Sequence, residues 1–265
     1  MSNFITTDYH MHSTFSADGD DTMEAMCQQA LNLGLTAIAI TEHAEWHPVM
    51  PHKGFYRVEA YFEALEQCRA KFEPQGLKIY AGVELGNPHI HPQEALALTT
   101  AYPFDLALAS LHWLHGKNVH EAGCFAGREA TEVYADYFAE LAHMVVDFDF
   151  DIVAHFDRIL WQGTLLAGTF DPFSLERAIR SALANIAQTG RVLELNTALL
   201  THTPSWQEAL VTMFRWFREE GGQRVVVNSD SHRVGEIGRH RQLAQNLLLE
   251  AGFELPQQLF CLNKE

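Results

Sequence analysis

Two histidines one residue apart, His10 and His12, precede an acidic cluster that begins at Asp18. In an extended segment an i, i+2 pair turns both side chains to one side, which is what one metal ion needs from two imidazoles. Spacing alone decides little, because fifteen histidines in 265 residues give about one H-x-H by chance. A second such pair, His89-Ile90-His91, is indeed present. The other chemistry-bearing residues separate the two pairs. "AIAITEHAEW" carries Glu42 and His43, "IYAGVEL" carries Glu84, and "LALASLHW" carries Ser110 and His112. "DIVAHFDR" carries His155, Asp157 and Arg158, "VLELNT" carries Glu194 and Asn196, and "VVVNSDSH" carries Asp230 and His232. Imidazole and carboxylate are ligands for borderline divalent ions such as zinc, manganese or iron.

Each of these phrases ends a short, β-branched-rich apolar run, and the runs alternate with helical patterns. That alternation marks repeated βα units around a parallel sheet or barrel. The strands read as Phe4 to Asp8, Thr36 to Ile40, Lys78 to Val83, Asp105 to Ala109, Asp151 to Ala154, Val192 to Leu195 and Arg224 to Val227. In a closed parallel barrel the carboxyl ends of all strands converge on one mouth, where barrel chemistry sits. A single histidine at a strand end is more often a capping group than a ligand. Imidazole, carboxylate or carboxamide after every strand is not explained that way, so His10 and His12 are read as ligands. His89 and His91 lie past a strand end already used by Glu84 and read as ordinary loop histidines, with substrate contact as the alternative. Between the strands, Asp21-Thr-Met-Glu24 reads as a capping box opening a helix that ends at Gly34. Asp171-Pro172 opens another that closes at Gly190, and Thr203-Pro204 a third that stops at Gly221-Gly222.

The bulk numbers bound the function. A formal charge of −16 argues against a nucleic-acid partner, since phosphate backbones require a lysine and arginine surface. A basic, aromatic-rich track of the kind a nuclease uses is lacking. No apolar run approaches the ~20 residues of a membrane span, and no leader pattern opens the chain. Cys27, Cys68, Cys124 and Cys261 form no C-x-x-C, which suggests reduced thiols and a cytoplasmic location. No linker, repeat or charge block divides residues 1–265, so one domain is expected.

From "DYHMHS" to "NSDSH" the chain resembles the polymerase and histidinol phosphatase (PHP) domain family, in the right order along nearly its whole length. "GVELG", "SLHWLHG" and "SDSHRVGEIGR" look most like its histidinol-phosphate phosphatase branch. The resemblance implies a distorted (β/α)7 barrel of α/β class with three divalent metal ions at its mouth. By motif, His10, His12, Glu84 and Asp230 would hold the first ion, and Glu84 would bridge to a second held by His112 and His155. Asp18, His43 and His232 would hold the third. Glu42 stands where many members have Asp, a position behind the ligands. "ELNTALLTHTP" lacks the arginine that some phosphatases of the family place after Asn-Thr.

A metal cluster with only three carboxylates stays positive despite the acidic surface, so a phosphomonoester dianion is its natural ligand. The ions would acidify a bridging water as nucleophile and clamp the phosphoryl oxygens. Arg158 could add a two-pronged phosphate contact, with Arg233 a weaker candidate; both could equally be rim salt bridges. Asp157 could orient a ligand or protonate the leaving alkoxide. Histidinol is the expected leaving group, gripped by Glu45, Trp46, Trp113 and Trp161, with nucleotides and sugar phosphates as rivals. A metal-dependent amidohydrolase would place a modified lysine at a middle strand end, and none is there. A non-catalytic PHP module would have lost ligands, whereas all nine are present.

Overall fold

A computed structural model describes residues 5–49, 54–168, 170–201, 204–255, 257 and 260–262. Its strands are β1 (Thr7–Asp8), β2 (Ala37–Ala44), β3 (Lys78–Gly86), β4 (Leu106–Ser110), β5 (Trp113–Leu114), β6 (Lys117–Asn118), β7 (Ile152–Val153), β8 (Val192–Asn196) and β9 (Val225–Asn228). The helices are α1 (Met23–Asn32), α2 (Val58–Phe72), α3 (Pro92–Ala101), α4 (Ala130–Asp147), α5 (Arg158–Ala167), α6 (Glu176–Gln188), α7 (Pro204–Glu219) and α8 (Arg241–Glu250).

Seven strands pair in parallel in the order β1-β2-β3-β4-β7-β8-β9. The two edges then meet beyond their ends through a parallel bridge between Met11 and Ser231. There His12 N donates to Ser231 O and Asp230 N donates to His10 O, each at 2.8 Å. The sheet therefore curls into a nearly closed seven-stranded barrel ringed by helices, as expected. Strands this buried read as continuous apolar runs because both faces are covered. Ala39, Leu106, Leu108, Ile152, Val192 and Val226 belong to the cluster inside the barrel. Phe260 and Leu262 pack on that cluster from below, where Leu262 N donates to Tyr9 Oη at 3.2 Å and Tyr80 Oη donates to Leu262 O. Larger clusters seat α1 and α2 on β2 and β3, and α4 to α8 on the other half of the barrel.

All seven expected strands occur, with shifted bounds. Two run further than their apolar residues suggest, because β2 and β3 stay paired past them in a register that sets His43 beside Glu84. Polar residues here are carried by hydrogen-bond pairing, not by burial preference. β1 is shorter than expected, and Phe4 lies outside the described residues. The cap of α1 is Thr22, whose Oγ1 accepts from Ala25 N at 3.2 Å. Asp21 is taken instead by Val234 N at 2.8 Å. Asp171 caps a short 3-10 turn, Pro172–Leu175, that leads into α6. Thr203 lies outside the described residues. The β5–β6 hairpin was not expected; its turn is His115-Gly116, both with positive φ (50° and 71°), the conformation a tight two-residue hairpin requires. Among the described residues no helix is long and apolar enough to cross a membrane, and all four cysteines are free thiols.

Candidate metal centre

The chain leaves β1 still extended, and both early imidazoles turn into the mouth. His10 Nε2 lies 3.3 Å from Glu84 Oε2 and 3.5 Å from Asp230 Oδ1. His12 Nε2 lies 3.4 and 3.3 Å from the same two atoms. The β2–β3 register puts His43 Nδ1 2.8 Å from Glu84 Oε2, while its Nε2 is 3.5 Å from Asp18 Oδ2. His232 Nε2 completes that corner, 3.4 Å from the same Asp18 oxygen. The other oxygen of Glu84, Oε1, faces His155 Nε2 at 2.9 Å and His112 Nε2 at 3.4 Å. One buried carboxylate thus stands between two groups of imidazoles. The nine residues picked out in the sequence are brought together, whereas His89 is paired with Glu140 at 2.8 Å and His91 starts α3.

Do these residues fit metal ions? His10 Nε2, His12 Nε2 and Glu84 Oε2 are buried and have no hydrogen-bond partner. Buried polar atoms are nearly always paired. Three unpartnered Lewis bases converging on one spot fit a divalent cation, and the His/carboxylate donor set suits zinc, manganese or iron. The electrostatics agree. Burial alone would raise the Glu84 pKa, but His10 and His43 hold it well below the carboxylate range. Burial likewise opposes ionisation of Asp230, and His10 and His12 again prevail. Burial disfavours the charged His10 ring, yet Glu194, Glu84 and Asp230 lift its pKa well above 6.5. Burial and the neighbouring His43 and His232 drive His12 down to about 3. The cluster favours positive charge at its centre.

A surrounding layer of residues aims the candidate ligands. Glu194 Oε1 accepts from His10 Nδ1 and Asn228 Nδ2, both at 2.8 Å. Its Oε2 accepts from the His155 amide at 2.6 Å. Glu45 Oε1 meets His112 Nδ1 at 2.5 Å, and the position facing it must be Gly86, whose Cβ would collide with the Glu45 carboxylate. Glu42 is not a ligand: it accepts from Ser13 N at 3.1 Å and from the Ser13 and Ser16 hydroxyls at 2.5 Å each. Ser16 Oγ in turn lies 3.2 Å from His12 Nδ1 and accepts from His43 N at 3.0 Å. Asp230 adopts φ 50° and His155 φ 22°, conformations that cost about 1–3 kcal/mol each. Arg239 holds Asp230 there, its Nη2 donating to Ser229 O at 2.8 Å and Asp230 O at 3.1 Å.

Above the cluster is a cavity of about 220 Å³, walled by ligands together with Glu45, Trp113, Asn118, His120 and Arg158. No lysine lines it among the described residues. Arg158 is its guanidinium, lying over the Trp161 ring at 4.6 Å, with Nη2 2.7 Å from His120 Nδ1. Trp113 stacks on His47 with centroids 3.7 Å apart. Four expected contributors do not line it, Trp161 among them, since its ring lies under Arg158. Arg233 is on the rim, 60% exposed, held by Glu236 at 3.0 Å and near Asp20 at 3.7 Å. Asp157 is 2% exposed and does not reach the cavity; burial pushes its pKa up to about 7. Trp46 lines a neighbouring cavity. His120 and Asn118 were missed; the one available signal was the His115-Gly116 turn, which folds the segment after His112 back over the mouth.

The family model described as the PHP domain matches residues 8–198. The histidinol-phosphatase of Lactococcus lactis subsp. lactis is 25% identical over 249 residues, covering 93% of this chain and 91% of that protein. A Clostridium acetobutylicum protein named as a probable histidinol-phosphatase is 26% identical over 234 residues, covering 87% and 88%. The crystal structure of the L. lactis histidinol phosphate phosphatase, complexed with zinc, L-histidinol and phosphate, superposes with a TM-score of 0.85. It is 24% identical and each chain is covered to 94%. The family model spans most of the chain and takes in seven of the nine gathered candidate ligands, all but Asp230 and His232: the chain belongs to the PHP domain family.

Proposed function

We propose that this protein is a metal-dependent phosphomonoesterase that hydrolyses L-histidinol phosphate to L-histidinol and inorganic phosphate. The observation that carries the reading is the convergence of unpartnered imidazole and carboxylate atoms beneath a cavity with one guanidinium on its wall. Three ions are proposed. His10, His12, Glu84 and Asp230 would hold the first, Glu84, His112 and His155 the second, and Asp18, His43 and His232 the third. Bound divalent ions supply an acidified water as nucleophile and positive charge against the phosphoryl oxygens.

The chain's own groups do the rest. Arg158 reaches the cavity as a planar donor for a phosphoryl oxygen, and its stacking on Trp161 limits the directions it can take. Glu194 holds the proton of His10 on Nδ1 and so keeps Nε2 free to coordinate. Glu45 does the same for His112. The β5–β6 hairpin brings Trp113 and Asn118 to the wall of the cavity, where they would meet the leaving group. Water enters as the P–O bond to the alcohol breaks, the alkoxide takes a proton, and alcohol and phosphate leave. The zinc, L-histidinol and phosphate in the L. lactis structure support the substrate choice.

The test is hydrolysis of a panel of phosphomonoesters by protein reconstituted with zinc, manganese or iron. L-histidinol phosphate should be preferred over AMP and glucose 6-phosphate by at least about tenfold in kcat/KM, ~1.4 kcal/mol of discrimination. A flat profile removes the substrate, and no turnover of any ester removes the reaction.

A further inference from the structure

Away from the metal centre, α1 and α2 pack together on β2 and β3, and Lys71 Nζ meets Glu24 Oε1 across their seam at 2.7 Å. Cys27 follows Glu24 by three positions on α1, and Cys68 precedes Lys71 by three on α2. Residues three apart share a helix face, so both cysteines face the seam that this ion pair bridges. Both belong to the apolar cluster between the helices and the sheet. Their thiols are in contact, Cys27 S–H donating to Cys68 Sγ.

The two sulfurs have different surroundings. Cys27 is fully buried, and its hydrogen bond to Cys68, together with burial, pushes the thiol pKa up. Cys68 lines a cavity of about 410 Å³ with Thr14, Phe15, Met23 and Lys71. The hydrogen bond from Cys27 lowers the Cys68 pKa against burial and Glu24, and the Lys71 ammonium works the same way. The thiolate is the nucleophilic form of cysteine. One thiol is thus reachable and primed, with a second held beside it. Cys124 is as little exposed as Cys68, but burial raises its pKa.

We propose that Cys27 and Cys68 form a peroxide-reactive dithiol, with Cys68 the attacking sulfur and Cys27 the resolving one. The site is independent of what the metal centre hydrolyses. Hydrogen peroxide, small enough for the cavity, is the oxidant. The Cys68 thiolate attacks one peroxide oxygen: an S–O bond forms, the O–O bond breaks, and the departing hydroxide is protonated to water. The Cys27 sulfur then attacks Cys68. The S–S bond forms as the S–O bond breaks, and the Cys27 proton leaves with the hydroxyl as a second water. The two sulfurs lose two electrons, which reduce one peroxide to two waters. The product ties α1 to α2 beside the loop that carries Asp18, since Thr14 and Phe15 of that loop wall the same cavity.

The test treats zinc-loaded protein with hydrogen peroxide, blocks the remaining thiols by alkylation, and maps linkages by mass spectrometry of unreduced peptides. Expected is the loss of two of the four thiols, an intramolecular Cys27–Cys68 link, and full recovery with dithiothreitol. Cys68 should be consumed at least about tenfold faster than Cys124. In Cys27→Ala the Cys68 sulfur has no resolving partner and should proceed to sulfinic acid, which dithiothreitol does not reverse. In Cys68→Ala, Cys27 should stay reduced. The wild-type map needs no substitution, so the proposal stays exposed to refutation if a variant fails to fold. It is overturned if both thiols survive a peroxide dose that oxidises the exposed Cys261. A link found only between two chains also overturns it, as does Cys27 oxidation in Cys68→Ala at the wild-type rate.

Discussion

Replacing Glu194 by glutamine tests whether the layer behind the ligands controls metal binding. The carboxylate accepts on both oxygens: from His10 Nδ1 and Asn228 Nδ2 on one, and from the His155 amide and Asn196 Nδ2 on the other. An amide has one oxygen and one NH2, so one of these pairs of donors must face a donor. If the NH2 turns toward the His155 amide, a buried backbone N–H loses its acceptor, a cost of about 1–3 kcal/mol. If it turns toward His10, the imidazole can satisfy it only by moving its own proton to Nε2, the atom aimed at Glu84 and Asp230. The first route weakens the second ion's site through His155, and the second route weakens the first ion's site through His10; loss of such outer partners lowers affinity about 10–100-fold, or ~1.4–2.7 kcal/mol. The assay is competitive titration of zinc against a chromophoric chelator, with the melting temperature of stripped protein as a control. Glu194→Gln should lose affinity for one ion and leave the others close to wild type. A variant that binds every ion within about twofold of wild type would refute tautomer control by Glu194.

Three further outcomes are expected. Protein purified without chelator should carry more than one divalent ion per chain by elemental analysis, and a single stoichiometric ion with full activity would end the trinuclear proposal. Arg239→Met removes the guanidinium gripping the Ser229 and Asp230 carbonyls; it should lower metal content at the sites using Asp230 and His232, with Glu84, His112 and His155 still loaded. The pH dependence of stripped protein has a defined sign. Burial lowers the His112 pKa, but Glu45 and Glu84 raise it from 6.5 to about 9. A raised histidine contributes stability that is complete below its unfolded value and lost as pH climbs through the folded one. Melting temperature without metal should therefore fall between pH 6.5 and about 9, and saturating zinc should flatten the fall.

The barrel was legible because its strands are apolar runs with abrupt polar ends, and a polar end is also where a barrel puts its chemistry. His10, His43, Glu84 and Asp230 could be picked out for the same reason. What the sequence withheld depends on direction. Arg158 and Asp157 are adjacent, yet one side chain enters the cavity and the other is buried beneath it, because the first residues of α5 fan around the helix axis. Trp46 and Trp113 both follow ligands, but only the hairpin, set by two positive-φ residues, brings Trp113 over the mouth. Arg233 and Arg239 flank the same short turn, and packing against the carbonyls of the barrel rim selects the second. Such choices are made by contacts between segments far apart in the chain, and no local pattern records them.

The barrel closes by joining its two ends, and that has a consequence for how the protein is made. Tyr9 N donates to Asn228 Oδ1 across 219 positions of sequence. At roughly 5–20 residues per second, about ten to forty seconds separate the synthesis of one side of that seam from the other. During this interval His10 and His12 have neither Asp230 nor His232 to face. The full coordination set exists only once Asp230 and His232 have been made and seated. The donors that would surround an ion are thus assembled by barrel closure and not by any local stretch of the chain.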